Sequence, residues 1–318
     1  MPSLRVLFFG SPAFAVPSLR ALHAAGHQVV GAVCQPDAPK GRGYKLEPPA
    51  VKVAAEELGI PVHQPERVKG EKGKPFLELA RSLKPDIAVV AAYGKILPQD
   101  LLDVPRAGCV NLHASILPRF RGASPIQHAI LEGDAETGVC LMRMVLELDA
   151  GDVYACARTR ITDEDTAEAL SARLADLAAE LCVKHLPDVV SGALKPEPQD
   201  PTKVTYAPML DKEMGRILWS GDAAREARRV RAMTPWPGTW TLFRGETLKI
   251  HRAQVVTVEG EPGVPGTVIA MGPDFLDVAC AQDALRLLEV QPPGKRRMGT
   301  GDFMRGARLR VGDSFQER

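Results

Sequence analysis

Residues 4–25 read LRVLFFGSPAFAVPSLRALHAA. Residues 4–9 are apolar except for Arg5, a run of the length of one buried strand. Gly10-Ser11-Pro12 then turns the chain, and residues 14–25 carry apolar positions at helical spacing. The same alternation continues outward. Residues 29–33 read as a strand, 52–58 as a helix, 61–62 as a short extended piece and 76–83 as a helix. Residues 87–92 and 109–112 read as buried strands, and 124–131 as a helix. Strands and helices in alternation predict a mostly parallel α/β sheet.

Residues 166–190 form a long amphipathic helical stretch. Pro196, Pro198, Pro201 and Pro208 follow within a polar segment, and proline at that density denies it a helix or a central strand. Residues 192–208 are therefore expected to be an extended linker, dividing residues 1–191 from residues 209–318. Beyond it come a helix at 223–233 and short strand-like runs at 240–243, 248–258, 266–270, 275–279 and 285–290. Short strands between Gly and Pro turns predict a small β-barrel.

A chain of 318 residues suits two domains. Its longest apolar runs are strand-sized, too short to span a membrane, and the N-terminus shows no secretory signal. The six cysteines stand far apart with no CxxC pair, which argues against a zinc ribbon or a disulfide scaffold and fits a reducing cytosol. A net charge of +1 leaves nucleic-acid contact to local basic patches.

The most informative stretch is GCVNLHASILPRFRG, residues 108–122, with LDAGD at 148–152. Strand alternation puts Asn111 and His113 on one face roughly 7 Å apart, able to flank one reacting carbon. A donating amide, an imidazole and the separate carboxylate of Asp149 suit acyl transfer; a satisfied structural Asn–His pair has the same spacing. Cys109 shares the face but lies roughly 13 Å from His113, too far for a thiol–imidazole pair, and reads as core. No histidine spacing suits a metal, and none is expected. Gly10 lacks the further glycines of a dinucleotide-binding turn.

Asn111-x-His113, Ser115-Ile116-Leu117-Pro118, Arg121-Gly122 and Asp149-x-Gly151-Asp152 resemble the signature of the 10-formyltetrahydrofolate-dependent formyltransferases. Within that family, the branch acting on methionyl-tRNA is similar across nearly the whole chain. The similarity includes FFGSPAFAVPSL (8–19), QPDAPKGRGYKL (35–46), AYGKILP (92–98), GDAETGV (133–139), TPWPGTW (234–240) and QPPGKRRM (291–298). Ala114 stands where glycine is usual, and Ile116 where leucine is.

The resemblance implies an α/β fold, with an N-terminal Rossmann-like, mostly parallel sheet domain and a smaller C-terminal OB-like barrel that binds tRNA. It implies that Asn111 holds the oxyanion of the tetrahedral intermediate, that His113 stabilises it and helps shuttle protons, and that Asp149 orients the imidazole or an ordered water and accepts charge. Ser115, Ile116, Leu117 and Pro118, with residues 92–98, are implied folate-binding walls.

Lys40, Arg42 and Lys45 lie in a glycine-containing loop suited to phosphates, or in a solvated surface loop. With the whole similarity they resemble a tRNA-contacting insertion. Lys295, Arg296 and Arg297 are further candidates, as are the arginines at 225, 228, 229 and 231. The expected partners are methionyl initiator tRNA and folate, with no membrane, for a monomer in the cytoplasm. Three relatives compete: glycinamide ribonucleotide formyltransferase, sugar-nucleotide N-formyltransferase and formyltetrahydrofolate hydrolase. A non-catalytic nucleic-acid-binding protein would not need the Asn111, His113 and Asp149 set.

Overall fold

The structure, a computed structural model, describes residues 3–40 and 45–316. It forms two compact units. The first comprises Met1–Pro125, Glu136–Arg160 and Ser171–Ala207; the second comprises Ile126–Ala135, Ile161–Leu170 and Pro208–Arg318.

In chain order the elements begin with β1 (Arg5–Gly10), α1 (Val16–Ala24), β2 (Gln28–Val33) and the pair β3 (Ala38–Lys40) and β4 (Lys45–Glu47). Next come α2 (Ala50–Glu57), β5 (Val62–His63), α3 (Lys74–Ser82), β6 (Ile87–Ala91), α4 (Gln99–Leu102) and β7 (Cys109–His113). There follow β8 (Arg121–Gly122), α5 (Pro125–Glu132), β9 (Glu136–Arg143), β10 (Val153–Arg160), α6 (Ala167–Ser191) and β11 (Tyr206–Ala207).

The main sheet runs β10-β9-β7-β6-β1-β2-β5. Strands β7, β6, β1, β2 and β5 are parallel, while β9 and β10 add antiparallel. This is the mostly parallel sheet that the alternating pattern predicts. Its central strands are buried almost throughout, which is why β1 and β6 read as continuous apolar runs and not as alternating ones.

The chain order reverses between β1 and β6. In open α/β sheets ligands bind beyond the carboxyl ends of the strands at such a point. Gly10, Ala91 and His113 end the three strands there. Gly10 is required for packing: a Cβ would lie 2.6 Å from that of Ala15 and 2.9 Å from the Ala91 carbonyl oxygen.

The wide cysteine spacing that argues against a disulfide scaffold does not exclude a single bridge. Cys140 of β9 and Cys156 of β10 face each other across the antiparallel pair and form a disulfide. Their separation of 16 residues conceals a hairpin that brings them together.

The proline-rich segment is extended, but it is fastened to the first unit. Glu197 bridges Val153, and β11 pairs in parallel with β8.

The second unit holds α7 (Ala223–Ala232), β12 (Thr239–Phe243), β13 (Glu246–Val256), β14 (Val268–Met271), β15 (Leu276–Ala279), β16 (Ala284–Gln291), β17 (Met298–Gly299), α8 (Thr300–Ala307) and β18 (Phe315–Gln316). The antiparallel sheet runs β14-β15-β16-β13-β12-β18, with β17 on β16. An antiparallel bridge from Thr267 to Ser314 joins its two ends, so the sheet closes. Closure leaves few exposed strand edges, the reason short strands are stable here. The core gathers Trp219, Phe243, Leu276, Leu287, Phe303 and Phe315.

The arginines of α7 serve this unit. Arg225 pairs with Glu132 at 3.1 Å, Arg228 donates to the Leu131 carbonyl at 3.2 Å, and Arg231 donates to the carbonyls of Thr162 and Asp165. These bonds hold Ile126–Ala135 and Ile161–Leu170 to the unit. Arg229 pairs with the buried Glu226, which also accepts from the Leu218 N–H. Truncating one partner of a buried pair typically costs about 3–5 kcal/mol. Glu226→Ala is therefore expected to lower the unfolding free energy of this unit by that order, read as a lower denaturant midpoint at unchanged slope. All three tryptophans lie within it, so their fluorescence reports the transition; an unchanged midpoint would contradict the assignment.

Candidate functional site

Asn111 and His113 sit at the carboxyl end of β7. Asn111 is in register with Met142 and His113 with Cys140 on β9. Partners in an antiparallel pair share a face, so Asn111, His113, Met142 and Cys140 line one side. Leu117, Cys140 and Met142 form a small apolar cluster, with Ile116 and Val153 against it.

After His113 the chain makes a tight turn. The Ser115 hydroxyl donates to the Arg119 carbonyl at 2.6 Å, and the Leu117–Pro118 peptide is cis. Ser115 is fully buried and Leu117 buried, while Ile116 and Pro118 are half-buried. The turn brings the Phe120 carbonyl to 2.9 Å from Nε2 of His113. A carbonyl only accepts, so Nε2 carries the proton and donates it. In the neutral ring the free lone pair is then on Nδ1.

Nδ1 lies 3.6 Å from Oδ2 of Asp149, with both side chains largely buried. Two acceptors face one another in the neutral ring; a proton on Nδ1 converts the contact into an ion pair. The same Oδ2 accepts the Gly122 N–H at 2.8 Å. Asp149 has a φ of 49°, a left-handed conformation uncommon for a non-glycine residue. Two residues on, a Cβ at Gly151 would lie 1.9 Å from the Arg143 carbonyl oxygen, so only glycine fits that approach. The structure thus brings Asn111, His113 and Asp149 to one strand end and the loop beside it. Such a set can donate a hydrogen bond and move a proton at one place.

Cys109 is buried, its thiol pushed up to about 12 by desolvation first and by Asp103 second. A thiol so protonated is a core group and no nucleophile. Across the strand end, residues 92–98 include the buried Tyr93 and Leu97 and the exposed Ile96, with Lys95 donating to the carbonyls of Pro65 and Glu66. A separate cleft of about 530 Å3, lined by His63, Gln64, Arg67 and Phe76 among others, contains none of the three site residues.

Of the basic candidates, Arg42 lies outside the described residues, and Lys40 and Lys45 are described only as backbone partners in the β3–β4 pair. Lys295 and Arg296 are exposed, and Arg297 forms an ion pair with Glu289 at 2.6 Å. Sequence reading gave no role to Arg121 or Gln199, which bind the Asp149 loop. Gln199 is a polar residue among prolines, and its partners lie 48 to 78 positions away. No local pattern signals such contacts.

The formyl transferase family matches residues 4–186, and the formyl transferase C-terminal domain family matches residues 209–308. The chain is 48% identical over 308 residues to a methionyl-tRNA formyltransferase of Myxococcus xanthus, covering 97% of this chain and 96% of that one. It is 50% identical over 301 residues to that of Methylococcus capsulatus, covering 95% and 96%. Among solved structures, an N-formyltransferase from Helicobacter canadensis in complex with folinic acid and dTDP-3-aminofucose is similar at a TM-score of 0.67. The identity is 16%, covering 91% of this chain and 99% of that one, and the likeness concerns the fold. Matched in both its parts and over nearly its full length, the chain belongs to the formyl transferase family.

Proposed function

We propose that this protein transfers the formyl group of 10-formyltetrahydrofolate to the amino group of methionyl initiator tRNA. One observation carries the reading: identity of 48–50% with methionyl-tRNA formyltransferases extends over at least 95% of this chain and 96% of each relative. The N-formyltransferase solved with dTDP-3-aminofucose shares the fold at 16% identity.

The folate is a substrate. The methionyl nitrogen attacks the formyl carbon, the carbonyl oxygen gains charge, and the bond from that carbon to the folate nitrogen breaks. The amine loses a proton and the folate nitrogen gains one. Asn111 donates to the oxygen as its charge grows. His113 takes the amine proton on Nδ1, because Nε2 is committed to Phe120. Asp149 stabilises the resulting imidazolium from 3.6 Å. Ile116, Leu117 and Pro118 form part of the folate wall, and the buried Ser115 shapes it by closing its turn.

In this reading residues 1–191 carry the chemistry, residues 192–208 link, and residues 209–318 bind tRNA. Arg42 with Lys40 and Lys45, and Lys295, Arg296 and Arg297, contact its phosphates, where such contacts position more than they specify. The protein acts as a monomer in the cytoplasm, where charged tRNA and folate meet. Among the described residues no helix is long and apolar enough to cross a membrane.

The direct test is formylation with methionyl initiator tRNA, methionyl elongator tRNA, free methionine and an amino-sugar nucleotide. Transfer to the initiator tRNA alone is expected; transfer to the sugar, or hydrolysis of the donor without transfer, would overturn the reading. Asn111→Ala is expected to lower kcat about 100- to 1,000-fold with a smaller change in KM, as for a lost transition-state donor. Steady-state kinetics with near-normal kcat would remove Asn111 from the chemistry. Arg42→Ala is expected to reduce kcat/KM for tRNA sharply while folate affinity stays constant, since a guanidinium fork suits phosphate. An unchanged kcat/KM would return that loop to a solvated surface feature.

A further inference from the structure

The side chain of Gln199 is saturated with bonds that meet around Asp149. Its Nε2 donates to the carbonyls of Asp149 at 2.8 Å and of Gly151 at 2.7 Å. Its Oε1 accepts from Nε and Nη2 of Arg121 at 3.1 and 2.9 Å. A reversed amide would oppose donors to the guanidinium and acceptor to the carbonyls, so its orientation is fixed. Arg121 is buried, and its Nη1 lies 3.4 Å from Glu147, two residues before Asp149. The next residue is Gly122, whose N–H holds the Asp149 carboxylate. Thus the backbone of the Asp149 loop is tied through Gln199, and its carboxylate through Gly122, to one two-residue strand.

The same segment supports His113. The Thr205 hydroxyl accepts the Phe120 N–H at 2.9 Å, and the Thr205 carbonyl accepts the Arg121 N–H at 2.9 Å. Phe120 supplies the carbonyl that fixes Nε2 of His113. Residues 199–205 therefore brace both sides of the 3.6 Å gap between Nδ1 and Oδ2. Locally the left-handed Asp149 is spanned only by a long turn bond, the Ala150 N–H to the Glu147 carbonyl at 3.4 Å, so the bonds from Gln199 and Gly122 add the firmer restraint.

We propose that Gln199 is a positioning residue for formyl transfer, holding the Asp149 carboxylate against Nδ1 of His113. This rests on the function proposed above, because it takes the His113–Asp149 pair as the proton-handling centre. Gln199 acts through Asp149 and contacts no reacting atom.

The test uses the full chain. Gln199→Glu retains an acceptor for Arg121 but replaces the donor to the two carbonyls. Gln199→Leu removes both. A displacement of about 1 Å at a reacting pair costs on the order of 100-fold in rate. Both variants are expected to lose about 10- to 100-fold in kcat, with KM for folate and tRNA changed less than about threefold. On an Asp149→Ala background, either change is expected to cost no further kcat, because its effect passes through the carboxylate. Wild-type kcat in Gln199→Glu, a full additive loss on the Asp149→Ala background, or a rise confined to KM would each overturn the proposal. So would a Gln199→Glu chain that fails to fold, which marks a structural tie only. Should the wild-type protein formylate a different acceptor, the function fails separately; the same cycle, measured with that acceptor, still decides the role of Gln199.

Discussion

The site depends on one carboxylate held at a fixed distance from one imidazole. Oδ2 of Asp149 receives the Gly122 N–H and faces Nδ1 of His113 at 3.6 Å. Each feature around it serves that placement. The reversal of strand order falls between β1 and β6, and β7 ends beside β6 on the same edge of the sheet. The turn after β7 returns the Phe120 carbonyl to Nε2, fixing which nitrogen handles the proton. Gly151 lets the Asp149 loop pass against the Arg143 carbonyl, where any Cβ would collide.

Much of this is legible in the sequence because it rests on local periodicity. Runs at residues 4–9 and 87–92 announce buried parallel strands, and a period of two puts Asn111 and His113 on one face. The short runs after residue 240 announce the antiparallel sheet. What local periodicity does not carry was missed. Strand β9 opens on Glu136, Thr137 and Gly138 and leaves an apolar run of only four residues before Arg143, and β10 ends in Arg158, Thr159 and Arg160, so neither carries a sustained strand pattern. Without a legible hairpin, nothing in the spacing pairs Cys140 with Cys156. The short helix α8 contains two glycines, poor helix formers, and gives little signal.

The charged residues show why composition separates structural from binding roles poorly. Four arginines on one helix suggest a phosphate-binding face, yet each is bonded within its own unit. Arg297 is similarly paired with Glu289, whereas Lys295 and Arg296 next to it are exposed. The proline-rich segment teaches the same lesson for the backbone. Proline excludes helix, as expected, but the extended chain that results offers side chains and a two-residue strand to the site.

Which nitrogen of His113 is free to take the proton is read by 15N NMR of protein labelled in its histidines. His113 is assigned by comparison with a His113→Gln variant. With the ring neutral, the tautomer protonated at Nε2 is expected, with Nδ1 as the free acceptor facing Asp149. A neutral ring protonated at Nδ1 would contradict it, because Nε2 would then oppose the Phe120 carbonyl and Asp149 would face a nitrogen already carrying its proton.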